Sequence, residues 1–265
     1  MPKERPLLRA QGLAKAFGGV QALAGAELAV YERELVALIG PNGAGKTTLF
    51  NCLTGLVCPD QGGIELLHQG QACSLTGLKP HRITQLGLAR TFQNIRLFAQ
   101  ITVLENVLIG CHPTLRAQAW DAVWHSQRHR NEERQAKAKS YALLERFGLK
   151  DKAMQTAGSL AYADQRRLEI ARALATDPKI LLLDEPAAGM NPQETAELDQ
   201  LLLQLREEFS IAILLIEHDM KLVMRISNRV YVMDQGRTLA QGTPAVVQAH
   251  PEVIAAYLGE EVPHA

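Results

Sequence analysis

Apolar residues form short continuous runs at three places, residues 35–39, 180–183 and 211–216. Runs of four to six aliphatic residues are typical of strands that are buried on both faces, as in a parallel sheet. Between the runs, apolar residues recur every three or four positions, which predicts helices. Buried strands that alternate with helices predict an α/β fold with a largely parallel sheet.

The remaining patterns predict an antiparallel region and a helical region. Short alternating apolar runs from Leu7 to Glu34, broken by glycines, predict strands and turns of an antiparallel sheet, with a return strand at 63–67. Helical spacing and few β-branched residues predict a helical insertion over 104–148. Shorter elements are also predicted: helices over 83–90 and 166–175, a hairpin over 230–240 and a short helical tail.

A glycine-rich stretch follows the first buried run and fits the phosphate-loop pattern G-x-x-x-x-G-K-[ST]. Glycines let the backbone turn its N–H groups towards an anion, Lys46 adds a positive charge for the β- and γ-phosphates, and Thr47 offers a hydroxyl to Mg²⁺. The stretch lies between a predicted strand and a predicted helix, so we predict a nucleotide site rather than an ordinary turn. The predicted nucleotide-binding residues are Gly40, Pro41, Asn42, Gly43, Ala44, Gly45, Lys46, Thr47 and Thr48.

Two acidic residues, Asp184 and Glu185, end the second buried run. Ligands of open α/β sheets bind beyond the carboxyl ends of the strands, so we interpret these acids as serving magnesium and water chemistry rather than as a solvated turn. His218 follows the third run. If the third strand is parallel to the second, His218 emerges at the same edge and can approach the same phosphate.

Composition narrows the class of protein. The 265 residues include 28 basic and 28 acidic side chains, and a net charge of zero gives no reason to expect DNA or RNA as a partner. The four cysteines show no C-x-x-C pairing, which is typical of a reduced, intracellular protein. No stretch reaches the roughly 18 apolar residues of a membrane span. We therefore expect a soluble, cytoplasmic chain whose membrane span, if it works at a membrane, belongs to another protein.

In their order along the chain, these motifs resemble those of the ATP-binding subunits of ABC transporters. The phosphate loop is followed by a glutamine at Gln93, a signature region at 160–164, the acid-ended strand, a D-loop at 188–191 and a switch histidine at His218. Further strings are similar to one of the two ATPase subunits of bacterial branched-chain amino acid importers. They are RTFQN at 90–94, RRLEIAR at 166–172, IEHDMKLVM at 216–224 and YLGE at 257–260.

The resemblance implies a P-loop NTPase fold and an assembly. A RecA-like core with an antiparallel β subdomain would take residues 1–92 and 165–250, a helical subdomain 93–164, and a C-terminal tail 251–265. The implied partners are two transmembrane permease subunits, a second ABC ATPase and, indirectly, a periplasmic solute-binding protein. The chain would be peripheral on the inner face of the bacterial plasma membrane. Two ATPases would face each other head to tail, each ATP lying between the phosphate loop of one and the signature of the other.

The resemblance also implies roles for single residues. Thr47 and Gln93 would ligate magnesium, and Asp184 would hold the ion indirectly. Glu185 would polarise the attacking water, and His218 would contact the water and the γ-phosphate of ATP. Such a site accelerates phosphoryl transfer by positioning the water in line and by neutralising charge on the phosphate oxygens.

The signature region departs from the family pattern Leu-Ser-Gly-Gly-Gln. The residues predicted to contact ATP there are Ala161, Tyr162, Ala163 and Asp164. Ala163 adds a methyl group where a bare glycine backbone would approach the γ-phosphate. Asp164 is predicted to cap the following helix, where it would repel an incoming phosphate by roughly 3 kcal/mol before screening. We expect the site that uses this signature to turn over slowly and its counterpart to hydrolyse ATP, unless the substitutions are tolerated.

Two residue assignments stay open. The resemblance implies that Phe17 stacks on the adenine ring, but a lone phenylalanine is more often part of a core. Polar residues four positions apart form a row that could hold a metal, although such rows are the ordinary mark of a solvated helix face. The row consists of Asp121, His125, His129 and Glu133.

Other functions compete with a branched-chain amino acid importer. An importer for urea, short amides or other amino acids has the same kind of ATPase subunit, which does not touch the cargo. A soluble ABC ATPase that acts on ribosomes or DNA generally carries two ATPase units or a long coiled coil, and neither pattern is found here. A regulatory module that binds nucleotide without turnover is disfavoured by the presence of Glu185 and His218.

Overall fold

The computed structural model describes residues 5–111 and 127–258. Among them, one compact unit contains the residues up to Leu88 and those from Lys179 onwards, and the other contains those between Ala89 and Pro178. The strands are β1 (Leu8–Phe17), β2 (Val20–Val30), β3 (Leu35–Ile39), β4 (Gln61–His68), β5 (Gln71–Ser74), β6 (Leu88–Arg90), β7 (Ile180–Asp184), β8 (Ala212–Ile216), β9 (Arg229–Asp234) and β10 (Arg237–Gly242).

The helices alternate with these strands. They are α1 (Lys46–Leu53), α2 (Pro80–Leu86), α3 (Val103–Cys111), α4 (Gln127–Arg146), α5 (Tyr162–Leu174), α6 (Pro192–Glu208), α7 (Met220–Ile226), α8 (Pro244–Gln248) and α9 (Pro251–Leu258). Two 3₁₀ turns, Lys150–Lys152 and Ala157–Ser159, precede α5. Within the described ranges, no helix combines the length and the apolar character that a membrane crossing requires.

The central sheet is formed by the aliphatic runs of the sequence. Its strand order is β10-β9-β3-β8-β7-β6, and the pairs β9–β3, β3–β8 and β8–β7 are parallel. Every residue of β3, β7 and β8 is buried, which confirms the prediction of strands covered on both faces. Because β7 and β8 are parallel, with Asp184 opposite Ile216, the residues that follow them emerge at one edge of the sheet.

The N-terminal strands form a second, antiparallel sheet in the order β2-β1-β4-β5, as predicted from the short alternating runs. One hydrophobic core joins this sheet, α1 and the central sheet. Leu49, Phe50 and Leu53 of α1 are fully buried in that core. The helix that follows the glycine-rich loop is therefore fixed on its apolar face, with its N-terminus at the end of β3.

Local sequence fixes the ends of two helices. The Asn191 side chain accepts hydrogen bonds from the N–H groups of Gln193 and Glu194, and the Glu194 carboxylate accepts one from Asn191 N–H in return, so α6 begins with a capping box. Gly55 follows α1 with a φ of 72°, the left-handed conformation that ends the helix.

Two predicted helices have different boundaries in the structure. The prediction of a helix over 83–90 is wrong in its second half, because Gly87 turns the chain at a φ of 107° and residues 88–90 form β6. The Gly87 carbonyl accepts hydrogen bonds from Lys179 N–H at 2.7 Å and Ile180 N–H at 3.0 Å, which ties this turn to the start of β7. Helix α5 begins at Tyr162, four residues before the predicted start at residue 166.

The second unit packs α3 against α4 and α5. A Cβ on Gly110 of α3 would lie 2.3 Å from the carbonyl oxygen of Arg172, so only glycine allows these helices to approach so closely. At the start of α3, the Glu105 carboxylate accepts hydrogen bonds from the N–H and hydroxyl groups of Thr102, which hold the pKa of Glu105 below its usual range. The close contact at Gly110 and the cap at Thr102 thus fix α3 against α5, the helix whose first turn contains the signature region.

Candidate nucleotide site

The predicted phosphate loop connects β3 to α1 in a conformation that requires glycine. Gly40 has a φ of 148°, and a Cβ there would lie 2.1 Å from the carbonyl oxygen of Met233. Gly45 has a φ of 98°, and a Cβ there would lie 2.4 Å from the carbonyl oxygen of Ala22. The two glycines let the loop pass against neighbouring backbone while it turns back towards α1.

Lys46 lies inside this loop rather than on its surface. The residue is 7% exposed, and Nζ donates hydrogen bonds to the carbonyl oxygens of Gly40 at 2.5 Å and Pro41 at 2.8 Å. The first amides of a helix have no acceptor within the helix, and the N-cap Gly45 has no side chain with which to bind them. The loop therefore combines a cation with amides at a helix N-terminus, a donor set that fits a phosphate group. Gly43 and Thr47 are exposed to solvent there.

The acidic edge lies at the end of β7. Asp184 is its last residue and is buried, whereas the next residue, Glu185, keeps 19% of its side chain exposed. Glu185 has a φ of 48°, a left-handed conformation that costs a non-glycine residue about 1 kcal/mol. Its N–H donates to Ile216 O at 3.0 Å, so the strained residue is anchored to β8. Such strain is concentrated at functional sites.

His218 lies beside Glu185, as predicted for two parallel strands. The distance between His218 Nε2 and Glu185 Oε1 is 2.7 Å, and the histidine side chain is 47% exposed. The two residues are 33 positions apart in the sequence and meet because β7 and β8 end at the same edge. A carboxylate and an imidazole in contact at an exposed edge can together position a water molecule.

Glu217 is a buried acid at this edge that the sequence analysis missed. One carboxylate oxygen accepts a hydrogen bond from Ala187 N–H at 3.0 Å, and the other accepts one from His218 N–H at 3.2 Å. Burial raises the pKa of the Glu217 carboxyl above its usual range, although the two backbone donors act in the opposite direction. Glu217 ties the backbone after Glu185 to that of His218. The sequence offered one signal for this role, since Glu217 lies directly between the buried aliphatic run 211–216 and His218.

Phe17 lies at the end of β1 and is 48% exposed. The Lys15 ammonium is 5.5 Å from the centre of the Phe17 ring, and Lys15 also pairs with Asp60 at 2.7 Å. A ring that is exposed rather than part of the core is available for stacking, so the role of Phe17 towards adenine stays a prediction.

Gln93, in the second unit, is exposed to solvent, and a buried side chain holds its backbone. The guanidinium of Arg166, which is fully buried, donates to the carbonyl oxygens of Phe92 at 2.6 Å and Gln93 at 2.8 Å. Arg166 also pairs with the buried Glu169 at 2.9 Å, and Glu169 accepts a hydrogen bond from Arg96 N–H at 3.2 Å. Helix α5 thereby fixes the Gln93 loop through an ion pair that was not predicted.

The signature residues occupy the first turn of α5. Ala161 is the N-cap, with φ −60° and ψ 154°, and Tyr162, Ala163 and Asp164 are the first three helical residues. The prediction that Asp164 caps this helix is wrong, because its own backbone is already helical. The Asp164 carboxylate instead forms an ion pair with Lys152. The expected repulsion of phosphate assumed a carboxylate without a partner, and the structure gives it one.

The predicted magnesium ligands are oxygen donors, which suits Mg²⁺. Thr47 and Asp184 lie in the first unit, and Gln93 lies in the second. Within residues 5–111 and 127–258, no three His, Cys, Asp or Glu side chains form a metal-binding group. The other candidate metal site was the row of polar residues from Asp121 to Glu133. Most of it is outside the described part of the chain, namely Asp121, His125 and the side chain of His129.

Comparisons with known proteins identify relatives over nearly the whole chain. Residues 23–188 match the family described as ABC transporter, and residues 237–263 match the branched-chain amino acid ATP-binding cassette transporter family. The chain is 50% identical to the high-affinity branched-chain amino acid transport ATP-binding protein LivG of Escherichia coli K12, with 97% of this chain and 99% of that protein covered. It is 48% identical, with the same coverage, to the corresponding protein BraF of Pseudomonas aeruginosa.

A more distant relative and a solved structure extend this picture. The lipopolysaccharide export system ATP-binding protein LptB of Haemophilus influenzae is 33% identical, with 96% of this chain and 98% of that protein covered. A crystal structure of the ADP conformation of an ATP-binding cassette of an ABC transporter is similar with a TM-score of 0.81 and 31% identity. The similarity covers 97% of this chain and all of that one.

Proposed function

Because the chain belongs to the ABC transporter family of ATP-binding proteins, we propose that it is the ATP-hydrolysing subunit of an importer for branched-chain amino acids. The contact between Glu185 and His218, at the end of strands parallel to the one that enters the phosphate loop, supports hydrolysis rather than binding alone. Support for the cargo comes from the 50% identity to LivG and from the C-terminal match at 237–263.

In this proposal the first unit binds the triphosphate and positions the attacking water. Backbone N–H groups of the phosphate loop at 40–48, other than that of Pro41, which has none, hold the β- and γ-phosphates together with the ammonium of Lys46. The exposed Phe17 ring stacks on adenine. Glu185 accepts a hydrogen bond from the water, and His218 orients the Glu185 carboxylate and contacts the γ-phosphate. Both act mainly by geometry, which is what phosphoryl transfer requires of a protein.

Magnesium fits the oxygen donors of this chain, with Thr47 and Gln93 as ligands and Asp184 holding the ion indirectly. When bound, Mg²⁺ neutralises charge on the β- and γ-phosphate oxygens. The Lys46 side chain would exchange its contacts with the loop carbonyls for contacts with phosphate oxygens. Arg166 and Glu169 keep the backbone of Gln93 in place for this role.

The proposed assembly has two transmembrane permease subunits, a second ABC ATPase and, indirectly, a periplasmic solute-binding protein. This chain would be peripheral on the cytoplasmic face of the membrane, and nucleic acid would not be a partner. The two ATPases would bind ATP head to tail, so that the signature residues 161–164 contact ATP on the opposing subunit.

The catalytic assignment is tested by Glu185→Gln in the transporter purified through a tag on this chain. We expect the ATPase rate to fall about 100-fold or more, the range typical of losing a catalytic acid or base, while ATP binding is retained. Glu32→Gln, which changes an exposed glutamate, serves as the matched control and should leave the rate unchanged. Hydrolysis at the normal rate in Glu185→Gln would remove Glu185 from the catalytic role.

The cargo is tested separately. Membrane vesicles that contain the assembled transporter and its binding protein should accumulate radiolabelled leucine, isoleucine or valine when ATP is supplied on the cytoplasmic side. Uptake of urea or a short amide in their place would keep the ATPase assignment and change the cargo. Co-purification with export components instead of an importer permease would contradict the proposed direction.

A further inference from the structure

The ion pair between Lys152 and Asp164 lies at the signature region and is not part of the family pattern. Lys152 ends the 3₁₀ turn Lys150–Lys152, and Asp164 is the third residue of α5, twelve positions later in the sequence. The Asp164 side chain is 16% exposed and that of Lys152 is 41% exposed. The Asp164 side chain is therefore mostly covered, whereas the Lys152 side chain is partly exposed to solvent.

Charge at this position matters because an anion is proposed to bind there. A helix N-terminus attracts anions through its unpaired amides and its dipole, and a carboxylate in the first turn uses the same attraction. An uncompensated carboxylate would repel the phosphate, whereas a lysine in contact with it brings the net charge of the pair to zero. An ammonium also has three N–H donors, so hydrogen bonding to Asp164 leaves donors for a phosphate oxygen.

Two nearby cations pair with other acids. Lys150 pairs with Glu145 at 2.8 Å, and Arg166, one turn further along α5, is buried in its ion pair with Glu169. Asp151, next to Lys152, is exposed to solvent. Lys152 is in hydrogen-bonding contact with the Asp164 carboxylate, to which it is paired as a cation.

We propose that Lys152 is a functional part of this signature: it neutralises Asp164 and lets the first turn of α5 receive the γ-phosphate of ATP held by the opposing ATPase subunit. This inference rests on the proposed function, because it assigns a further residue to the same ATP site. Where the family pattern has a neutral glutamine, this chain has two charged residues, Lys152 and Asp164, whose charges cancel. The variant signature is then competent for ATP, and Lys152 is a residue on which its competence depends.

The test measures ATPase rate against ATP concentration in the transporter purified through a tag on this chain. Lys152→Met keeps the length of the side chain and removes its charge, and we expect it to raise the half-saturating ATP concentration about tenfold, since the carboxylate then faces phosphate alone. Lys152→Arg should behave like the wild type. Lys150→Met is the matched control, because it removes a neighbouring ammonium whose partner is Glu145.

The double variant separates compensation from a general effect of losing a lysine. Asp164→Gln removes the charge that Lys152 neutralises, so Lys152→Met combined with Asp164→Gln should restore the half-saturating ATP concentration to within about twofold of the wild type. Normal ATP dependence in Lys152→Met, or a double variant as impaired as that single variant, would overturn the proposal.

Thermal unfolding of the same variants is measured in parallel, and an unchanged unfolding temperature separates an effect on ATP binding from a folding defect. Glu185→Gln is measured beside them. If it abolishes hydrolysis while Lys152→Met is normal, the inference about Lys152 fails and the proposed function stands. If Glu185→Gln hydrolyses ATP normally, the proposed catalytic site itself fails.

Discussion

Two acidic residues next to proposed phosphate positions, Glu185 and Asp164, are placed by the fold in opposite ways. Glu185 follows a fully buried parallel strand, has a left-handed backbone and meets His218 at 2.7 Å. Asp164 lies in the first turn of a helix and pairs with Lys152. The first acid keeps a partner that can orient its carboxylate towards water, and the second has a partner that cancels its charge. The role of a carboxylate near phosphate is thus decided by the group that it contacts.

The supports of the two acids differ as well. At the catalytic edge, the buried carboxylate of Glu217 joins two backbone segments that come from neighbouring strands. At the signature, the buried pair Arg166–Glu169 lies behind the first turn and ties α5 to the Gln93 loop. Both are buried charged groups that bind backbone, so each can be removed without changing Glu185 or Asp164 itself.

The largest effect is expected for Arg166→Met, since it leaves the fully buried Glu169 without its cation. We expect a loss of about 3–5 kcal/mol in the free energy of unfolding, the usual cost of leaving one partner of a buried ion pair. Chemical denaturation of the purified chain measures it. Arg166→Met combined with Glu169→Leu is the control and should recover most of the loss. If Arg166→Met is as stable as the wild type, the buried pair does not contribute to the stability of α5 and the Gln93 loop.

A smaller effect is expected for Glu217→Gln at the catalytic edge, where the carboxylate accepts hydrogen bonds from Ala187 N–H and His218 N–H. A glutamine can accept only one of the two backbone hydrogen bonds, and its NH₂ group faces the other donor, so Glu185 and His218 lose their alignment. We expect kcat for ATP hydrolysis to fall about tenfold, while the half-saturating ATP concentration stays unchanged, because the phosphate loop is untouched. Asp199→Asn, another buried carboxylate of the same unit, controls for the loss of a buried charge. Equal effects in both variants would contradict a positioning role.

The smallest expected effect is on the pH dependence of stability. Burial raises the pKa of Glu217 in the folded state above its unfolded value, so the folded chain binds the proton more tightly. The stabilisation from this proton is fully present below the unfolded pKa and is lost as the pH rises through the folded pKa. Unfolding temperatures measured from acid to neutral pH should fall more for the wild type than for Glu217→Gln. Parallel curves would show that Glu217 does not titrate differently on folding.

The sequence predicts most of the catalytic edge and less of the signature. Strands β3, β7 and β8 are aliphatic runs, so their burial and parallel pairing follow, and with them the meeting of Glu185 and His218. The start of α5 was mispredicted because its N-cap is Ala161, whose side chain gives no capping signal.

The contacts that the sequence analysis missed are made by side chains from separate segments. Lys152 and Asp164 meet across a loop, where no helical or strand period relates them. Arginine is rarely buried, so nothing in the local pattern marks Arg166 as an interior residue. Both contacts depend on how the loops before α5 fold, and periodicity carries no information about that.

The contact between Lys152 and Asp164 also constrains how such a signature arises by single substitutions. Under the proposed compensation, a lineage that gains the lysine first passes through chains whose signature is uncharged, so every intermediate can bind ATP. A lineage that gains the aspartate first passes through a chain with an unpaired carboxylate facing phosphate. The order of substitutions that keeps ATP binding therefore begins at position 152. In the reverse direction, the aspartate has to be lost before the lysine.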